Sequence, residues 1–221
     1  DTQTAYALAI AFELANIKPA GKRLNDKITE NGYALSTGFI GTVFLLNALT
    51  KAGYEKTAYT LMLRDELPSW LYAVNMGATT VWERWDSLLP DGTIRSEEMN
   101  SLNHYAYGAV VSWIYKSIIG INQDESASGF KHAVLSPVFD ERLKKVYGEY
   151  DSVYGKYACG YEIDKAEANV KITVPYLCKA KFVAPKGYKI KSADGKPTDS
   201  NRKALIFKGG EHCLILAREK D

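Results

Sequence analysis

The hydrophobic period of this chain changes once, near residue 130, and that change limits its fold more than any other feature. Up to about Gly120 apolar residues recur at helical spacing. Tyr6, Leu8, Ile10, Phe12, Leu14 and Ile17 sit among alanines and read as one helix buried around most of its circumference, ended by Pro19-Ala20-Gly21. A short amphipathic stretch, 23–30, leads to the turn signal Asn31-Gly32. Ser36 or Thr37 is placed to cap the next helix, whose Phe39, Val43, Phe44, Leu46 and Leu49 run on until Gly53 stops it. Residues 54–64 read as its antiparallel partner, joined by almost no loop, a helical hairpin that suits an (α/α) barrel or an ordinary bundle equally. Helical spacing returns over 101–119, and Gly120 closes it.

Beyond Phe130 the period is two. Candidate strands are 131–135, 145–154, 156–164, 169–175, 179–184, 188–192, 203–207 and 211–217. Val170, Ile172 and Val174 alternate with polar residues, and turn clusters such as Ser192-Ala193-Asp194-Gly195 and Gly209-Gly210 recur about every ten residues. The expectation is an antiparallel β-sandwich following a helical domain. A packing role suits this second half, while its Lys and Tyr residues leave a ligand face open.

Composition adds mainly exclusions. With 46% hydrophobic and 24% charged residues, 221 residues make one or two domains with a real core. The net charge of +2 is too small and too evenly spread to argue for nucleic acid or a membrane surface, and no apolar run approaches the roughly 20 residues of a membrane span. Cys159, Cys178 and Cys213 are odd in number and lack ligand spacing; they read as small buried strand residues, which favours a reducing, cytoplasmic setting. No His/Asp/Glu group has metal-ligand spacing, so no catalytic metal and no cofactor are expected.

The stretch from residue 65 to 100 is long and irregular, broken by Pro68, Gly77, Pro90 and Asp91-Gly92, yet rich in tryptophan. Its centre, Gly77-Ala78-Thr79-Thr80-Val81-Trp82-Glu83-Arg84-Trp85-Asp86-Ser87, is poor core material and good sugar-binding material. Tryptophan faces pack on the C–H faces of a pyranose, while carboxylates and a guanidinium bond its hydroxyls. The alternative is structural: Trp82 and Trp85 as core aromatics one helical turn apart, with Glu83, Arg84 and Asp86 as their solvated rim.

The run LPSWLYAVNMGATTVWERWD (67–86) followed by SLNHYAYGAVV (101–111) resembles the signature of the bacterial inverting α-L-rhamnosidases. TQTAYAL (2–8), LSTGFIGTVFLL (35–46) and GFKHAVL (129–135) are similar to the same family and occur in its order. The resemblance covers roughly the first 180 residues. It implies that residues 1–128 are the C-terminal part of an (α/α)6 catalytic barrel and that 129–221 form the family's C-terminal β-sandwich domain. It also implies that the 221 residues are a fragment of a longer enzyme.

Inverting glycosidases use one carboxyl as acid and a second as base. The resemblance places the general base at Glu83, with Trp82 and Trp85 shielding or stacking near the sugar and Asp86 orienting Arg84; a helix-capping role for Asp86 remains equally open. It places His104, in Asn103-His104-Tyr105, as a rhamnose ligand, whose neutral ring can donate to one hydroxyl and accept from another. The general acid is expected upstream of Asp1, so the fragment alone should be inactive. The expected partner is a rhamnose-containing glycoside or polysaccharide. Two alternatives stand beside this reading: another (α/α)6 glycosidase or a polysaccharide lyase using Tyr105 beside His104, and a noncatalytic carbohydrate-binding module formed by the β-half.

Overall fold

The computed structural model describes residues 1–95, 99–199 and 201–219. The chain forms two compact units, Asp1–Trp113 and Ile114–Asp221. The division falls upstream of the 128/129 boundary expected from sequence, because Ile119 and Ile121 contribute side chains to the core of the β unit.

In the first unit, α1 (Gln3–Ala11) packs on α2 (Ile17–Glu30) and α3 (Phe39–Lys51), and α3 packs on α4 (Glu55–Met62). The single helix expected through Ile17 is two. Residue Thr2 caps α1 by accepting from the Ala5 N–H, α1 ends at Phe12, and Asn16 starts α2 by accepting from the Lys18 N–H. Pro19 therefore sits in the first turn of α2, where its missing N–H costs nothing, and does not end a helix. Gly21 is needed in the interior of that helix, since a Cβ there would lie 2.4 Å from the Ala52 Cβ. The cap of α3 is Gly38, without a side-chain bond, and not Ser36 or Thr37. The Thr37 hydroxyl instead meets the Thr42 hydroxyl at 2.7 Å inside the unit.

Ile10, Leu24, Ile28, Leu45, Leu49 and Leu61 are fully buried at the centre of these helices. The Tyr59 ring meets Trp113 edge-on at 5.2 Å, and the Trp113 indole donates to Thr50 Oγ1 at 2.8 Å. Burying one such aromatic contributes roughly 3 kcal/mol, so this cluster is a large part of what holds the helices together. Within the expected irregular stretch, Ser69 caps a short helix, α5 (Trp70–Asn75). Residues 96–98 of that stretch lie outside the described residues. The last helical segment is a 3-10 turn (Ala106–Ala109) leading into α6 (Val110–Trp113), and a π-helical stretch (Ile114–Ile119) opens the second unit.

The second unit is a β-sandwich built from one continuous eight-stranded sheet, in which β1 (Ile121–Gln123), β2 (His132–Leu135), β5 (Glu167–Val183), β8 (Ala204–Arg218), β6 (Tyr188–Ala193) and β7 (Lys196–Pro197) are successive neighbours. Strand β3 (Lys145–Ser152) pairs with β4 (Gly155–Ile163), which joins β5. All pairings are antiparallel except β2 with β5. That parallel pair is possible because β3, β4 and the first half of β5 supply the long return connection such a pair needs.

Two of the expected strand pairs are single strands. Segments 169–175 and 179–184 merge in β5, and 203–207 and 211–217 merge in β8, with a register shift between Val174 and Lys179. The bulge keeps one face inward throughout: Ala168, Val170, Ile172 and Val174 before it, and Cys178, Ala180 and Phe182 after it, all belong to the buried core. Of the cysteines, Cys159 and Cys178 are buried, but Cys213 is exposed. Cys213 pairs with Lys171, and both belong to the outward-facing set of their strands.

Candidate functional site

The residues singled out in the sequence meet on two short segments of the first unit that run side by side in opposite directions. Glu83 N–H donates to the Ser101 carbonyl at 2.9 Å, His104 N–H donates to the Val81 carbonyl at 2.7 Å, and the Thr80 hydroxyl donates to the Leu102 carbonyl. This ribbon brings Glu83 and His104 onto neighbouring backbone although 21 residues of sequence separate them. Glu83 Oε2 accepts from the Ser101 N–H at 2.7 Å, a short charge-assisted bond that fixes the carboxylate. Its other oxygen has no hydrogen bond among the described residues.

His104 is held as firmly. Its ring stacks on Phe39 at 4.5 Å and on Tyr105 at 5.1 Å, and its Nδ1 accepts from the Ala106 N–H at 3.2 Å. With Nδ1 engaged, a neutral ring carries its proton on Nε2 and faces a ligand as a donor only. The expectation that this imidazole both donates and accepts is thus narrowed to one role.

Trp85 stands against Tyr107 in a parallel stack, 3.8 Å between ring centroids and 8° between planes, and meets Trp70 edge-on at 5.2 Å. Its indole N–H donates to the Thr37 carbonyl at 3.2 Å, and that of Trp70 to the Tyr107 carbonyl at 2.9 Å. Glu83, Trp85, Tyr107, Phe39, Arg84 and Asp86 line one concavity of about 290 Å³. Trp82 is buried and turns into a neighbouring, more apolar concavity of about 340 Å³, which shares Arg84, Trp85 and Tyr107 with the first.

Asp86 lies between two guanidinium groups, with Oδ1 accepting from Arg84 Nε at 3.2 Å and Oδ2 from Arg95. The turn after it is pinned by Ser87, whose hydroxyl donates to the Arg84 carbonyl, and by the pairing of Leu88 with Ile94. Burial pushes the Tyr107 phenol above its ordinary range; Arg84 opposes that shift, and Asp86 and Glu83 add to it. Tyr107 thus stays a neutral wall beside the carboxylate. Among the described residues, no group of three His, Cys, Asp or Glu is placed to hold a metal ion, and no helix is long and apolar enough to cross a membrane.

The sequence reading did not single out Phe39, Tyr107, Trp70 or Arg95. Phe39 and Tyr107 lie within the motifs that carry the family resemblance, but their stacking partners are 65 and 22 residues away in the chain, so no local spacing announces the contacts.

Helical hairpins followed by a β domain are shared with known glycosidases. Residues 1–118 match the bacterial alpha-L-rhamnosidase 6 hairpin glycosidase domain, and residues 120–198 match the bacterial alpha-L-rhamnosidase C-terminal domain. An alpha-L-rhamnosidase of Alteromonas sp. is 34% identical over 98% of this chain and 24% of its own length, and one of Formosa agariphila is 37% identical over 99% and 23%. The crystal structure of Streptomyces avermitilis alpha-L-rhamnosidase complexed with L-rhamnose superposes with a TM-score of 0.86 at 31% identity, covering 97% of this chain and 21% of that one. The native Aspergillus terreus enzyme gives 0.81 at 34% identity, over 93% and 24%. The chain belongs to the bacterial α-L-rhamnosidase family, and it spans about a quarter of the length of the curated relatives it matches.

Proposed function

We propose that this chain contributes the general base and part of the sugar pocket to a longer glycoside hydrolase that releases terminal α-L-rhamnose with inversion. Glu83 is the base: one oxygen is fixed by the Ser101 amide, and the other, with no hydrogen bond among the described residues, is left to take a proton from water. That asymmetric anchoring is the observation that carries the reading, because a base must hold its position without spending both oxygens on structure. His104 donates through Nε2 to a rhamnose hydroxyl, and Trp85, rigid against Tyr107, offers an aromatic edge to the ring. Trp82 supports this wall from the adjoining concavity.

The acid is not Asp86. Both of its oxygens are taken by guanidinium groups, so neither is left to carry a proton toward a glycosidic oxygen. We assign the acid to residues outside this chain and accordingly expect the 221 residues alone to be inactive. Inversion requires the two carboxyl groups to stand about 6.5–9.5 Å apart, with a water between base and anomeric carbon. Proton NMR of the longer enzyme's reaction tests this reading: the first rhamnose released should be the β-anomer, and α-rhamnose as first product would refute a base role for Glu83.

A further inference from the structure

The second unit carries an aromatic platform that the hydrolase reading leaves unused. Tyr147, on β3, is 68% exposed and points to the outer face of the sheet. Its partner across the strand pair is Gly160, where a Cβ would come within 3.0 Å of Tyr147 Cδ2. The glycine therefore makes the bed on which the ring lies. The far end of the ring is fixed as well: the phenol donates to Glu149 Oε2 at 2.8 Å, and Glu149 Oε1 accepts from Lys156 at 2.7 Å. One ring face is thus seated on the sheet and the other is open to solvent, already immobilised.

The surroundings define what fits. Gly160 pairs with Lys171, and Ala158 pairs with Thr173, which in turn pairs with Glu211, so Lys171 and Glu211 project from the same outer face as Tyr147 and Glu149. Lys145, Lys156 and Lys171 share this face with Glu149, Asp151, Glu162 and Glu211, a mixture of both signs with no cationic excess to draw a nucleic acid or an acidic polymer. They offer both donors and acceptors beside an apolar ring face, the combination that a neutral pyranose needs for its hydroxyls and its C–H face. Because Tyr147 is already held, little rotamer entropy is lost on binding.

We propose that Tyr147, Glu149, Lys156 and Lys171 form a second saccharide-binding site for neutral pyranosides on the β unit, separate from the concavity at Glu83. Such a site would bind pyranosides independently of the hydrolase centre; only the choice of rhamnose as first probe rests on the proposed hydrolase activity.

The test is a titration of the isotope-labelled 221-residue chain with L-rhamnose and with D-galactose, read by amide NMR shifts. Saturable shifts are expected at Gly148, Gly160 and Lys171 with at least one of the two sugars. Tyr147→Ala should weaken that binding about 3- to 10-fold, and Gly160→Ala, which lifts the ring from its bed, by a smaller factor. Glu83→Gln should leave these shifts unchanged. No saturable shift on the β unit with either sugar, or equal affinity in Tyr147→Ala, overturns the proposal. Shifts confined to residues around Glu83 and His104 also overturn it while supporting the hydrolase site, and shifts confined to the β unit leave this proposal standing whatever becomes of Glu83.

Discussion

Truncating Tyr107 to alanine should cost the first unit about 3–5 kcal/mol, the range for removing a buried aromatic side chain. Tyr107 is 6% exposed and stacks on Trp85 at 3.8 Å, so the loss combines desolvated ring area with roughly 0.5–1.5 kcal/mol of aromatic pairing. Tyr107→Phe keeps both and should cost less than about 1 kcal/mol. The assay is selective, because all four tryptophans, at positions 70, 82, 85 and 113, lie in the first unit and their fluorescence reports its unfolding alone. In urea, with a slope of about 1–3 kcal/mol/M, the alanine variant should lose more than about 1 M of midpoint, and the phenylalanine variant a small fraction of that. Trp85 stays tethered to the Thr37 carbonyl but loses a wall, so its native emission should shift to the red. An alanine variant within 1 kcal/mol of the parent, or a phenylalanine variant as unstable as alanine, would refute the claim that this stack rigidifies the site.

Gly148→Val should destabilise the β unit by about 1–3 kcal/mol, because its Cβ would lie 2.3 Å from Ile119 Cδ1; in Ile119→Val, which lacks that atom, the same change should cost less, as a double-mutant denaturation cycle can measure. Burial raises the Cys159 thiol from 9.0 to about 12, so the folded state retains that proton longer than the unfolded chain; the stability linked to it is complete below pH 9 and declines as pH rises toward 12, and Cys159→Ala should flatten the decline in alkaline melts followed by circular dichroism. In the longer enzyme, His104→Ala should raise KM and lower kcat together if, as proposed, its Nε2 donor meets the sugar before the transition state; an effect on kcat alone would contradict that role. The 221 residues alone should release no aryl alcohol from an aryl rhamnoside, and turnover abolished by Glu83→Gln would place the acid within them.

What the sequence made legible was local. Asn31-Gly32 and Gly53 mark real helix ends because they supply the left-handed φ values of 60° and 87° that other residues avoid. The alternation from Ala168 to Val174 fixes which face of β5 is inward. Pro19 misled because the same residue that breaks a helix interior fits a first turn, and only the Asn16 cap distinguishes the two. Pro175 and Gly209-Gly210 looked like ends of strands. They face each other across β5 and β8, a Cβ at Gly209 lying 2.8 Å from the Pro175 carbonyl oxygen, so the two breaks combine into one bulge that both strands cross. At the site, Glu83, His104 and Trp85 were visible as residue types in a motif. Their supports, the Ser101 amide, the Phe39 ring and the Tyr107 ring, come from distant parts of the chain, and a pairing of that kind leaves no periodic trace.

The central claim, that Glu83 is the base, is tested most directly by Glu83→Gln in the longer enzyme, with turnover of a rhamnoside and affinity for L-rhamnose measured on the same preparation. Glutamine keeps an oxygen for the Ser101 amide but cannot take a proton from water. Turnover should fall by about 10²- to 10⁴-fold, while rhamnose affinity changes little. Turnover that survives the substitution, or falls only in proportion to lost rhamnose binding, would contradict the assignment.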